Sequence, residues 1–439
     1  MAGEVKKEGR RWGESFIRPG VHSGTILNEP PGDREDLSGI ITWAITRIAP
    51  TVLLLLVASS ALAADLRLGG YLKSLDIYAQ SPPQSDLPSG EISSNRLRLD
   101  LTGSAGPGVD FELSGENQLL YTDPAGLLPL PGESVNRAVD LAKSWNEGGR
   151  FQNRLFVDRL NLRATRAGIE WTVGRQAIGF GRIVLFSPLD IIAPFPPDAL
   201  DTDVRPGVDA LRAVHYYGLG GQVGAVAVFG DTAGNDSFLA TFSHHLRGVD
   251  LLGIAGRLRR RPMAGFGLAT SLGGMGVKAE AAFFEGRRVG EPGGDLHDDL
   301  LIAGLEGDYR FDSGLILTAE YLYNGAGADE PADYPEVLAS APAKEGLSFL
   351  AGRHYLLAGP SWEVHPLVTF GATLIWNIED DSFFLRPLVD LSLSDNLALQ
   401  IFWAFSRGGE PEEVLGFSVP RSEFGSAGDS GGFFLKYYF

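Results

Sequence analysis

Polar and apolar residues alternate along most of the chain after residue 64. In 109–118 and 277–283, apolar or small residues occupy one parity and polar residues the other. Segment 385–393 follows the same pattern, although its Pro387 lacks the N–H that a ladder needs, which predicts a bulge or a strand end there. Because side chains alternate between the two faces of a strand, this pattern predicts about eighteen β-strands of roughly ten residues each.

The connections between these strands alternate in length. Short ones are rich in Gly, Pro, Asn and Asp, the residues of tight turns, and fall at 104–108, 166–168, 218–221, 273–274, 311–314, 365–366 and 394–396. Long ones fall near 79–92, 121–150, 180–206, 286–297, 325–347 and 407–426. Short links join antiparallel neighbours, and this alternation is typical of outer-membrane barrels with periplasmic turns and extracellular loops.

The polar face distinguishes a barrel from a soluble β-sandwich, which would alternate in the same way. Here that face carries many long charged side chains, which would line a wet lumen while the apolar face meets lipid. The prediction is therefore an all-β fold: a transmembrane, antiparallel, up-and-down β-barrel of about 18 strands, within a range of about 16–20. Its expected lumen wall includes Arg96, Arg98, Glu112, Glu116, Arg159, Arg163, Glu320 and Arg386.

An export signal precedes the predicted barrel. Segment 48–64 is apolar, follows Arg47 and ends on small residues at 61–63, as secretory signal peptides do. A transmembrane anchor is the alternative, but the apolar run is shorter than the ~20 residues of a spanning helix and contains Pro50. We expect 1–39 to be an N-terminal extension upstream of the true start, 40–63 a signal peptide and 64–439 the barrel.

Composition excludes several kinds of protein. The chain has no Cys, which excludes disulfides and thiolate metal sites. Its 37 basic and 55 acidic residues give a net charge of −18, which argues against a nucleic-acid partner. His244 and His245 are adjacent, so on a strand they face opposite sides and cannot share a metal. With no assignable Ser–His pair either, we expect no metal, no cofactor and no enzymatic activity.

Two segments carry a family resemblance. The last strand, 432–439, ends on Phe439 and resembles the closing strand of bacterial outer-membrane barrels, which implies recognition by the barrel-assembly machinery. The stretches GRQAIGFGR at 174–182 and RPGVDALR at 205–212 resemble uncharacterised porin-like proteins of Gram-negative bacteria. A fainter likeness is to alginate-export-type barrels. The resemblance implies an outer-membrane pore and does not identify a solute.

The segment between those two stretches is unusually apolar for a loop. Residues 183–186 and 191–197 are largely apolar, and charged residues surround them. We expect this loop to fold into the lumen, with its charges forming a constriction that sets ion barriers. The alternative is an extracellular cap with internal salt bridges only. The predicted constriction residues are Arg175, Arg182, Asp190, Asp198, Asp201, Asp203, Arg205, Asp209 and Arg212.

We therefore predict a channel through which small hydrophilic solutes diffuse passively across the outer membrane, with or without selectivity. A basic track along the wall would favour anions and the loop carboxylates would favour cations, so the selectivity stays open. Alternatives are a barrel sheath of a porin–cytochrome conduit, a polysaccharide or anion export pore, and an outer-membrane enzyme or adhesin.

Expected partners of such a barrel are membrane lipid and lipopolysaccharide. The acidic runs on its predicted outer loops would either be solvated or reach lipopolysaccharide phosphates through divalent cations, since hard cations prefer carboxylate oxygens. A homotrimer is a further expectation that the sequence leaves open.

Overall fold

The computed structural model describes residues 66–85, 87–128, 134–291, 293–414 and 417–439. The predicted N-terminal extension, 1–39, and signal peptide, 40–63, lie outside the described residues. No helix among the described residues is long and apolar enough to cross a membrane.

Eighteen antiparallel strands form one closed sheet. The first strand pairs with both the second and the last, so each of the eighteen strands has a neighbour on both sides and the barrel is closed. The strands are β1 Arg67–Ala79, β2 Gly90–Gly106, β3 Val109–Asp123, β4 Phe151–Arg166, β5 Ile169–Gln176, β6 Val208–Tyr217, β7 Gly221–Val228, β8 Ser237–Leu246, β9 Val249–Leu258, β10 Arg261–Leu272, β11 Met275–Glu285, β12 Asp299–Arg310, β13 Leu315–Asn324, β14 His354–His365, β15 Val368–Asn377, β16 Ser382–Ser394, β17 Leu397–Arg407 and β18 Ser430–Tyr438. The predicted fold class and strand number are confirmed.

The remaining elements lie in the long connections. A short strand, Ala142–Trp145, pairs with β4, and a small hairpin joins Glu412–Val414 to Phe417–Val419. The connection after β13 contains a 3₁₀ turn and two short helices, and that before β18 contains a second 3₁₀ turn. These are Pro331–Asp333, α1 Tyr334–Ala339, α2 Ala341–Lys344 and Phe424–Ser426.

The alternation of turns and loops is as predicted. All connections at one end of the barrel are two to four residues long, and every predicted long loop lies at the other end. Two connections at the long-loop end, 259–260 and 378–381, are short as well. The connection at 259–260 contains neither Gly nor Pro, so turn composition does not mark it. Arg259 and Arg260 themselves take the left-handed conformation, with φ of 46° and 71°.

The two faces of the wall differ as a membrane barrel requires. On β2, Leu97 and Leu99 are 43% and 49% exposed and point to the lipid side, whereas Arg98 between them is only 3% exposed. Exposed large apolar residues recur in this way around the ring. Backbone groups in hydrocarbon need partners, and the closed ladder supplies them.

The prediction that Pro387 requires a bulge or strand end is wrong. Pro387 lies inside β16, where it pairs in register with Ala372 of β15. On its other side the ladder to β17 skips Arg386 and Pro387 and resumes without a change of register. The missing N–H therefore interrupts the hydrogen-bond ladder on one side of β16 only. The register shift between β16 and β17 lies at Ser392/Ser394 instead.

A charge placed on the lipid-facing side tests this assignment of faces. We expect Leu99→Lys to lower the free energy of unfolding from vesicles by about 2–4 kcal/mol, because a cation near the bilayer midplane is costly. Thr102→Lys, on the inward parity of the same strand, is the matched control and should change it by less than about 1 kcal/mol. Equal effects of the two substitutions in urea titrations would contradict the assignment.

Candidate functional site

One segment, 177–207, leaves the wall between β5 and β6 and contacts many inward-facing side chains. We call it the interior segment. It starts and ends at neighbouring points, because Gln176 and Val208 pair across the two strands. The Gln176 amide reinforces this base by donating to the carbonyls of Thr172 and Ala210 at 3.2 and 3.1 Å.

The apolar residues of the interior segment are buried against the wall. Leu189 and Ile192 are 0% and 1% exposed, and they belong to a cluster with inward-facing residues of strands from β6 to β15. The connection after β13 contributes Leu347 and Leu350 to the same cluster. This side of the barrel interior is therefore filled with packed side chains.

A row of wall carboxylates binds the backbone of 182–186. Glu280 of β11 accepts hydrogen bonds from the N–H groups of residues 182 and 183. Glu306 of β12 accepts from those of 184 and 185, and Glu320 of β13 accepts from that of 186. The N···O distances are 2.5 to 3.2 Å. The Ser187 hydroxyl also donates to Glu280, at 2.5 Å. Charge-assisted hydrogen bonds of this kind are the strong ones, so the row fixes the first half of the segment.

The second half is bound by Lys73 of β1, Arg96 of β2 and Tyr438 of β18. Lys73 is fully buried and its ammonium donates to Asp201 at 3.0 Å and to Asp203 at 2.7 Å. Arg96 also pairs with Asp201, and the Tyr438 hydroxyl donates to Asp203 at 2.6 Å. We call these five residues the clasp.

The two attachments lie on opposite sides of the barrel. The clasp involves β2, the carboxylate row begins on β11, and these strands are nine places apart in a ring of 18. The segment therefore contacts opposite walls, and Lys73 and Glu280 lie near the middle of β1 and β11.

Charge explains the strength of the clasp. Burial by itself would raise the pKa of Asp203, but hydrogen bonds from Lys73 and Tyr438 and the nearby charge of Lys436 outweigh it and hold that pKa well below its usual range. A carboxyl with a lowered pKa contributes stability that is present above its unfolded pKa and is lost as the pH falls towards the folded value. The Asp203 carboxyl is therefore ionised at neutral pH.

A second ionic centre forms around Asp158 of β4. Its carboxylate accepts from Arg98 at 2.7 Å, from Arg137 at 3.0 Å and from Arg159 at 2.5 Å, and also from the N–H of Gly207 at 2.9 Å. The ladder between β3 and β4 shifts register at this point, which lets the adjacent Asp158 and Arg159 both be buried. Asp158 thus ties three cations to the end of the interior segment.

The other predicted constriction residues form separate local pairs. Arg175 binds Asp209 at 2.8 Å, and Arg205 pairs with Asp190. Asp198 acts through its carbonyl, which accepts from Arg386 at 2.5 Å. Arg182 and Arg212 line a small cavity between the segment and the wall.

The remaining predicted wall residues lie near the Asp158 centre or at the short-turn end. Glu116 accepts from the Tyr71 hydroxyl at 2.7 Å, and Glu112 lies 3.8 Å from Arg159. Arg163 is exposed beside a polar cavity of about 550 Å³ at the short-turn end. The predicted basic track is thus largely neutralised by carboxylates.

Sequence analysis missed several residues that organise this site. Lys73, Tyr438, Asp158, Glu280 and Glu306 were not among the predicted site residues. Their strand parity marks the last two as inward-facing, and the same signal was present for Lys73 on β1. The sequence does not indicate which loop residue each of these side chains would contact.

Comparisons with known proteins find the same fold at very low identity. OccAB4 of Acinetobacter baumannii is 9% identical with a TM-score of 0.53, over 86% of this chain and 98% of that one. OccD3 (OpdP) of Pseudomonas aeruginosa is 10% identical with a TM-score of 0.50, over 86% and 92%. A variant of OccD1 (OprD) is 9% identical with a TM-score of 0.50, over 86% and 96%.

No family model and no curated protein matches the chain. At these identities the structural likeness shows the fold alone. The predicted architecture, a porin-like β-barrel of the outer-membrane type, is confirmed at that level.

Removing the Asp158 carboxylate tests the second ionic centre. We expect Asp158→Asn to lower the free energy of unfolding by about 3–5 kcal/mol, because it leaves three cations without their shared buried partner. Asp250→Asn is the control, since Asp250 is 53% exposed beside His245 and exposed pairs contribute only about 0–1 kcal/mol. Similar urea midpoints for both variants would show that Asp158 has no such role.

Proposed function

We propose that this chain is an outer-membrane channel through which small hydrophilic solutes diffuse passively. The observation that carries the proposal is the closed ring of 18 strands with charged side chains on its inner face. Eight strands already leave an interior that side chains can fill, and rings of 16–18 strands enclose an aqueous passage. The barrel would lie in the bacterial outer membrane, with its long loops facing outward.

The interior segment would narrow this passage and divide it unequally. The apolar cluster occupies the side of β6–β15, so the wet path would follow β1–β4, where the clasp and the Asp158 centre lie. Fixed charges of both signs at a narrow point set electrostatic barriers to ions. Because these charges are largely paired with each other, we expect weak rather than strong ion selectivity.

Planar-bilayer recording of the refolded protein tests the channel. We expect discrete conductance steps, with a reversal potential under a KCl gradient that is small because the fixed charges are paired. Heat-denatured protein from the same preparation is the control. A folded barrel that inserts but gives no steps at any voltage would contradict the proposal.

Breaking the clasp tests whether the interior segment limits conductance. We expect Asp201→Asn/Asp203→Asn to increase the single-channel conductance and its fluctuations, because Lys73 and Arg96 lose their partners and release the segment. Asp250→Asn at the exposed rim should leave both unchanged. Unaltered conductance in the folded double variant would refute the constriction.

The same recordings give a pH test. Since the pKa of Asp203 is held low, the wild-type conductance should be constant from about pH 8 down to about pH 5 and change only at lower pH. A transition near neutral pH would show that another group controls the segment.

A further inference from the structure

A small cavity lies between the start of the interior segment and the wall formed by β6–β9. Its volume is about 190 Å³, and residues 177–180 of the segment form one side of it. The polar groups that line it are Arg182 of the segment, Arg212 of β6, Gln222 of β7 and Thr241 of β8. No carboxylate is among the described residues that line this cavity.

The two guanidinium groups at this cavity differ from those of Arg96 and Arg98 in having no carboxylate partner among the described residues. One terminal nitrogen of Arg182 donates to the Ser243 hydroxyl at 3.0 Å, but Nη1 is buried and has no hydrogen-bond partner among the described residues. Arg212 forms no ion pair with any described carboxylate. In contrast, Arg96 and Arg98 pair directly with aspartates.

Neighbouring carboxylates do not pair with either guanidinium group. Glu280 uses its oxygens on the backbone of 182–183 and on Ser187 rather than on the Arg182 guanidinium. Glu170 lies on the adjacent strand opposite Val214, one inward position away from Arg212, and forms no ion pair with it. Neither guanidinium group therefore has a carboxylate partner, and both lie beside apolar side chains of the cavity.

A bound anion would stabilise such an arrangement. Burying a charge without a partner is costly, and guanidinium groups bind oxyanions through strong, charge-assisted hydrogen bonds. The Gln222 amide and the Thr241 hydroxyl can donate as well. Since a water molecule's share of liquid volume is about 30 Å³, the cavity has room for a compact anion with a few waters.

We propose that this cavity is a binding site for a compact tetrahedral oxyanion of the phosphate or sulfate class, held by Arg182 and Arg212. As a subsite for a permeating solute it rests on the proposed channel function, whereas binding itself does not require conduction. The site lies on the wall of β6–β9, away from the clasp and from the Asp158 centre.

Calorimetric titration of the refolded full chain in detergent tests the site. Sodium phosphate and sodium sulfate are titrated at constant ionic strength, and sodium acetate serves as the planar comparison. We expect saturable binding of both tetrahedral anions and weaker binding of acetate. In Arg182→Gln/Arg212→Gln the affinity should fall by about tenfold or more, because hydrogen bonds to charged groups are lost.

Two further variants make the result decisive. Arg310→Gln removes an exposed arginine at the short-turn end and should bind like the wild type. If the double variant does not refold, as judged by circular dichroism, Arg212→Gln alone carries the test, and Arg212→Lys should keep part of the affinity. Absence of saturable binding, or equal binding by the arginine variants, would overturn the site.

Bilayer recordings separate this proposal from the channel itself. A protein that conducts but does not bind oxyanions contradicts the site alone. A protein that binds phosphate, loses this binding in the arginine variants and gives no conductance contradicts the channel alone.

Discussion

Pairing of β1 with β18 is the interaction on which the rest of this structure depends. In hydrocarbon, each unpaired backbone N–H or C=O is costly, so a sheet can span a membrane only if it has no free edge. The ladder between Tyr71–Ala79 and Ser430–Tyr438 meets that condition, because it joins the first and the last strand of the described barrel. Closure then gives every strand an inner and an outer face, and it makes a lumen that charged side chains can line.

The lumen in turn decides how charge is handled. Cations and carboxylates that face inward are buried by the interior segment, and burial is tolerated because they pair with each other. On one side, backbone N–H groups of the segment donate to the carboxylates of Glu280, Glu306 and Glu320. On the other side, Lys73 and Arg96 pair with an aspartate of the segment. Arg182 and Arg212 have no carboxylate partner among the described residues, which supports the oxyanion site.

Much of the fold could be predicted from local signals. Strand parity and turn composition predicted the closed antiparallel barrel, its strand number and the end at which each long loop lies. The prediction for Pro387 was wrong, because this residue lies within a continuous strand. The tight turn at Arg259 and Arg260 was not predicted, because it forms without Gly. The charged residues of 175–212 that were predicted to form a constriction lie in several separate pairs and in the small cavity, and their role in a constriction stays a prediction.

The sequence by itself determined which residues face lipid and which face the interior, because side-chain alternation and turn chemistry act over a few neighbouring residues. It did not determine the partners across the lumen. Lys73 and Asp201 are 128 positions apart, and Asp203 and Tyr438 are 235 apart. Only the closed barrel decides these contacts, because they depend on the stagger of eighteen strands and on which wall residues segment 177–207 contacts.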